Sequence, residues 1–190
     1  MKHRLLVPLV AVVVIGIALY VGISLFLKKG ESPIPPPTST STAMLLITSF
    51  EECAQHYPVM ESYPEQCNTP DGKHFVRNVG NVLDLNDRIV NYLPQPGDLV
   101  TSPLSIEGEA RGTWYFEASF PVRLVDASGT TLAQGPTQAL GEWMTTEFVP
   151  YRGTLLFAAP TSATGTLILT RDDPSGMRVP EELRIPIRFR

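Results

Sequence analysis

The chain has 190 residues, 43% of them hydrophobic, with 15 Lys+Arg against 19 Asp+Glu and a net charge of −4. The charge is unevenly divided: Lys2, Arg4, Lys28 and Lys29 stand in residues 1–29 without one acid, and the other 161 residues hold 11 cations against 19 anions, or −8. An acidic remainder of this kind excludes nucleic acid as a partner, because phosphate binding needs clustered Lys/Arg. Once the first apolar segment is set aside, the length allows one core of about 100 to 150 residues and not two large domains.

The first element is Leu5–Leu27, 23 residues without a charge. At 1.5 Å per residue it reaches about 34 Å, enough for a hydrocarbon core of about 30 Å. It predicts a transmembrane helix within an anchor of residues 1–29. Ala18-Leu-Tyr-Val-Gly-Ile-Ser24 offers no small-residue pair for signal cleavage, and no cysteine follows for lipid attachment. Two cations at each end do not orient the helix. The short tail before it, and the cysteine pair after it that suits an oxidising compartment, place the C-terminal part outside the cytoplasm of a single-pass cell-membrane protein.

Residues 30–43 (with Pro33, Pro35, Pro36 and Pro37 before a Ser/Thr run) read as an extended stalk. Residues 44–80 form a two-cysteine module. Closing the 14-residue separation of Cys53 and Cys67 would stabilise the module by about 3 kcal/mol on the chain-entropy account, and a disulfide is the reading adopted. The alternative is a tetrahedral zinc set of Cys53, His56, Cys67 and His74, although those spacings fit no common finger. Tyr57-Pro58, Tyr63-Pro64 and Pro70-Asp71-Gly72 predict extended or turn backbone.

From Arg88 onward, period-two alternation predicts strands at Arg88–Tyr92, Leu104–Gly108, Phe116–Leu124, Thr131–Gln134, Thr154–Ala158, Gly165–Thr170 and Arg184–Arg190. In the last, Ile185, Ile187 and Phe189 would face inward, with Pro186 suggesting an edge. Seven strands in about 100 residues without one convincing soluble helix describe an all-β, immunoglobulin-like sandwich over residues 88–190.

Phe50-Glu-Glu-Cys53, Glu61-Ser-Tyr-Pro64 and Cys67-Asn-Thr-Pro-Asp-Gly72, with Phe75, resemble a short two-cysteine motif of exported bacterial proteins, which implies an exported location. The run Pro96–Glu117, then Phe120-Pro-Val-Arg-Leu124, Trp143-Met144, Phe148-Val-Pro-Tyr151 and Asp173-Pro-Ser-Gly176, resembles the immunoglobulin-like domain of bacterial spore germination proteins. That resemblance implies a small extracytoplasmic sandwich that binds at the cell envelope. The partner domain of the germination proteins themselves has no counterpart here.

No catalytic constellation emerges. The histidines are His3, His56 and His74, and G-x-S-x-G, H-E-x-x-H and phosphate-cradling loops are all missing from the sequence. Glu107, Glu109, Glu117 and Glu142 read as an acidic surface, and Asp84-Leu-Asn-Asp87 as a turn or cap in preference to a calcium loop. No cofactor and no metal are expected. The candidate binding surface is Trp114, Tyr115, Glu117 and Trp143. In strand alternation Trp114 and Phe116 would point inward and Tyr115 and Glu117 outward: either Trp114 and Trp143 plug the ends of the core, or Tyr115 and Trp143 offer a stacking platform for a sugar ring or an apolar side chain of a partner. The expected function is non-catalytic binding of a cell-wall glycan or an envelope protein. The rival is a scaffold subunit of a membrane-associated envelope assembly, linked to sporulation or germination in spore-forming relatives.

Overall fold

The computed structural model describes residues 46–177 and 179–190. The Leu5–Leu27 segment and the 30–43 stalk lie outside the described residues. Among the described residues no helix is long and apolar enough to cross a membrane.

The first described element is helix α1, Phe50–His56, in the two-cysteine module, for which the sequence predicted only extended or turn backbone. Ser49 caps it, its Oγ accepting from the Glu52 N–H at 3.1 Å, and Thr48 donates back to the Glu52 carboxylate through its N–H (2.7 Å) and hydroxyl (2.9 Å). Two acids in the first turn favour the helix dipole, and Tyr57-Pro58 ends the helix. Seven residues are too few to hold a helix alone. The Cys53–Cys67 disulfide ties α1 to a small antiparallel sheet of β1 (Val59–Met60), β2 (Gln66–Asn68) and β3 (His74–Val76). Ile47, Phe50 and both cysteines form its buried cluster, and the Arg77 guanidinium lies 4.6 Å from the Phe50 ring centroid.

The rest is mostly β. Strand β4 (Ile89–Leu93) pairs with β6 (Leu104–Arg111), which pairs with β9 (Phe148–Leu155). In the facing layer β7 (Ser119–Asp126) pairs with β10 (Thr164–Thr170), which pairs with β11 (Glu182–Phe189). Strand β8 (Thr131–Ala139) joins the layers: most of it pairs with β7, and its last three residues turn to β9. The chain also changes layer between β4 and β5 (Leu99–Val100), which lies parallel to the end of β11. A first strand divided between two sheets in this way is an immunoglobulin-like arrangement.

Period-two burial accounts for the core. Leu104, Ile106, Ala110, Val149, Tyr151 and Leu155 of one layer meet Phe120, Val122, Leu124, Leu167, Leu169, Leu183, Ile185 and Ile187 of the other. Phe120 is central, with the ring centroids of Tyr151, Tyr115 and Trp114 at 5.0, 5.2 and 6.4 Å. Gly108 faces inward where Tyr151 crosses β6, and a Cβ there would collide with the Tyr151 hydroxyl and the Val90 carbonyl.

Among the described residues the sandwich has eight strands where seven were expected, β5 being the addition; β6 and β8 run on to Arg111 and Ala139, and two strands are displaced. The strand placed at Thr154–Ala158 is Phe148–Leu155, because Val149, Tyr151, Gly153 and Leu155 carry its inward alternation while Pro150 sits outward opposite Glu109. The strand placed from Phe116 starts at Ser119, because Glu117 (φ 48°) and Ala118 (φ 61°) adopt left-handed backbone that a strand does not tolerate. At Pro186 β11 pairs with β10 on one side, and on the other it meets no strand, since β5 reaches β11 only at Arg188 and Phe189; the connection before β5 covers it there, Gly97 N–H donating to Pro186 O at 2.8 Å.

Candidate functional site

Three connections leave the same end of the sandwich: residues 112–118 between β6 and β7, 140–147 between β8 and β9, and 171–181 between β10 and β11. Strand register puts them together, since Arg111 pairs with Phe148, Ser119 with Gln138, and Thr170 with Glu182. Backbone bonds then tie loop to loop. Gly112 N–H donates to Glu147 O (3.1 Å), Ala139 N–H to Ala118 O (2.8 Å), and Asp172 N–H to Trp114 O (3.1 Å). Arg171 Nε donates to Thr113 O at 3.0 Å, and Arg111 donates to Asp87 O and Thr146 O while stacking 4.3 Å from the Phe148 centroid. Gly112 is required here, because a Cβ would strike the carbonyls of Trp143 and Thr145.

The four candidate residues come together at this end, but facing differently from the sequence expectation. Residues 112–114 form a short 3-10 turn, which removes the strand alternation. Trp114 is 1% exposed and edge-on to Phe120, and its Nε1 has no hydrogen-bond partner. Tyr115, expected outside, is 4% exposed: its hydroxyl donates to Val149 O at 2.6 Å, and burial pushes its pKa well above the ordinary tyrosine value. Phe116, expected inside, is instead exposed on the left-handed turn beside Glu117. Trp143 is half-buried and packs on the core cluster. The proposed Tyr115–Trp143 platform therefore does not stand on the surface, because Tyr115 has been drawn into the core.

What the end presents instead are residues that alternation could not flag. Met144, Met177 and Val179 are 73%, 87% and 93% exposed, joined by Leu140 and Phe116. The only sequence signal was their apolar character inside segments that otherwise read as loops. Around them Glu117, Glu142 and Glu147 are exposed, whereas Arg111 and Arg171 are engaged with carbonyl groups. Among the described residues the end is thus an apolar patch with an acidic rim, of which Glu147 faces Arg111 at 4.0 Å.

The sulfurs of Cys53 and Cys67 are bonded to each other, so they do not serve as thiolate ligands, and His74 Nδ1 is 2.7 Å from Asn68 Oδ1. Among the described residues, no three of His, Cys, Asp and Glu converge on a metal position. Asp84 lies in a turn, its N–H donating to Asn81 O, and Asp87 faces Arg88.

Residues 89–178 match the family model described as the immunoglobulin-like domain of bacterial spore germination. The match runs from β4 to the loop before β11, a strand whose seven-residue pairing with β10 completes the layer. No curated protein and no solved structure matches the chain.

Proposed function

We propose that this protein is a non-catalytic binding module of the cell envelope, anchored in the membrane by Leu5–Leu27 and displayed outside the cytoplasm, whose three-loop end engages another envelope protein. The observation that carries the reading is the set of exposed apolar residues Phe116, Leu140, Met144, Met177 and Val179 on three loops, two of them hydrogen-bonded to the 112–118 connection. Clustered exposed apolar side chains on a rigid sandwich are costly in water unless a partner covers them, and methionines adapt to a protein surface. The acidic rim favours a partner with Lys or Arg around an apolar centre and disfavours an anionic membrane surface. The family match supports a binding or scaffold role, and the disulfide fits an oxidising compartment.

A photo-crosslinking residue introduced at Met144 or Met177 of the full-length chain in intact cells tests this. Adducts with one envelope protein are expected from these positions and not from Gln134 on the sheet face. Equal labelling from Gln134, or adducts only with wall glycan, would overturn the reading. Protease added outside intact cells should cleave the part after residue 46; protection would overturn the orientation.

A further inference from the structure

Away from the loop end, a groove of about 410 Å³ opens where the two-cysteine module meets strand β4. That volume lies within the range of small-ligand sites. Its floor is apolar, made by Ile89, Leu183 and Ile185, and the connector residues Val82 and Leu83 form one wall. Tyr63 of the module and Tyr92 of β4, 59% and 50% exposed, stand at its margins. In a chain that is 18% charged, no charged residue lines this groove.

The hydrogen bonds around it narrow the ligand class. A free strand edge invites an added peptide strand through its carbonyl and N–H groups. Here the edge of β4 is already occupied: Gln95 Nε2 donates to Asn91 O (2.7 Å) and Tyr92 O (2.9 Å), and the Tyr151 hydroxyl reaches Val90 O at 3.2 Å and Asn91 Oδ1 at 2.8 Å. Asn91 Nδ2 is likewise spent on Pro94 O at 2.7 Å. A peptide strand would find the Asn91 and Tyr92 carbonyls already taken. A polyproline peptide offers only carbonyl acceptors, and with the Gln95 donor consumed it is left with the Asn86 amide and the Tyr63 hydroxyl.

What remains open among the described residues is Gln95 Oε1, the exposed Asn86 amide and the Tyr63 hydroxyl. The Tyr92 hydroxyl faces Glu109, whose carboxylate raises its pKa above the ordinary tyrosine value. Aromatic faces, amide groups and no charge match a ligand with apolar C–H faces and neutral hydroxyl donors. We propose that this groove binds a neutral pyranose chain, stacked between Tyr63 and Tyr92 and hydrogen-bonded by Asn86 and Gln95. The site is distinct from the loop end and does not depend on it.

Calorimetric titration of the full-length protein in detergent with a neutral N-acetylglucosamine tetramer tests this. Saturable binding is expected, weakened about five- to tenfold by Tyr63→Ala and by Tyr92→Ala, the scale of one lost aromatic contact. Tyr63→Phe should retain most of the affinity, and Asn86→Asp, an exposed change that spares the fold, should weaken it. Met144→Ala and Met177→Ala should leave it unchanged, which separates failure here from failure of the loop-end reading. Three results would overturn the proposal: no binding of the tetramer, binding indifferent to both tyrosines, or displacement of the tetramer by a peptide of residues 32–38.

Discussion

The sandwich and the two-cysteine module are held by different means. Among the described residues the sandwich buries one contiguous cluster of twenty side chains from both layers, while the module buries four, two of them the bonded cysteines. A large core supplies its own cohesion at about 25 cal/mol per Å² of buried apolar surface. A cluster of four cannot offset the ordering of about thirty residues, so the cross-link substitutes for a core by restricting the unfolded chain. The consequence is functional. The sandwich carries its exposed apolar loops on a core that does not depend on them, whereas the segment that bears Tyr63 is closed by the Cys53–Cys67 disulfide.

That contrast can be broken in several ways. The largest effect is expected from Phe120→Ala, which removes the ring that Trp114, Tyr115 and Tyr151 surround. A loss of about 3 to 5 kcal/mol is expected in chemical denaturation. Next, replacing Cys53 and Cys67 together by Ser should cost the module about 3 kcal/mol. Hydrogen exchange should rise across residues 50–76 and stay unchanged in β6, β7 and β10; an equal rise in the sandwich would show that the two form one cooperative unit.

A third test uses pH. Burial raises the pKa values of Tyr115 and Tyr151 above the ordinary 10, so the folded state keeps their protons while the unfolded state loses them. Stability is therefore complete below about pH 10 and falls above it, by about 1.4 kcal/mol per pH unit for each tyrosine. Tyr115→Phe should flatten this alkaline limb in denaturation measured from pH 8 to 11, and a limb of unchanged slope would contradict the burial. Smaller still, Ser49→Ala should cost about 1 kcal/mol through the lost cap of α1 and show only in module protection. Met177→Ala should change stability by less than about 0.5 kcal/mol, as for a side chain that packs on nothing.

Much of the sandwich was legible because strand geometry is local. Ile185, Ile187 and Phe189 alternate with arginines and are buried as that pattern predicts. The short helix had its own signal, Ser49 followed by Glu52, which reads as a capping box but was masked by the cysteine and proline punctuation around it. Strand β9 was shifted because Pro150 and Gly153 resemble turn residues, and only pairing with β6 shows Pro150 on the outer face. At the loop end, the 3-10 turn at 112–114 and the two left-handed residues after Phe116 exchanged the roles of Tyr115 and Phe116. Neither Glu117 nor Ala118 announces such backbone, which costs energy in both and is held by bonds such as that from Ala139 to Ala118.

The amino-acid sequence by itself determined the −8 remainder, the alternation that selects inward side chains, and a single candidate pair of cysteines, because each depends on neighbours along the chain or on composition. The tertiary structure alone decided which loops converge, that Tyr115 is core and Met144 surface, and that Tyr63 stands across a groove from Tyr92. Those outcomes depend on register between strands far apart in the chain, such as Arg111 against Phe148 and Thr170 against Glu182, where the hydrogen bonds of one layer fix what the other can reach.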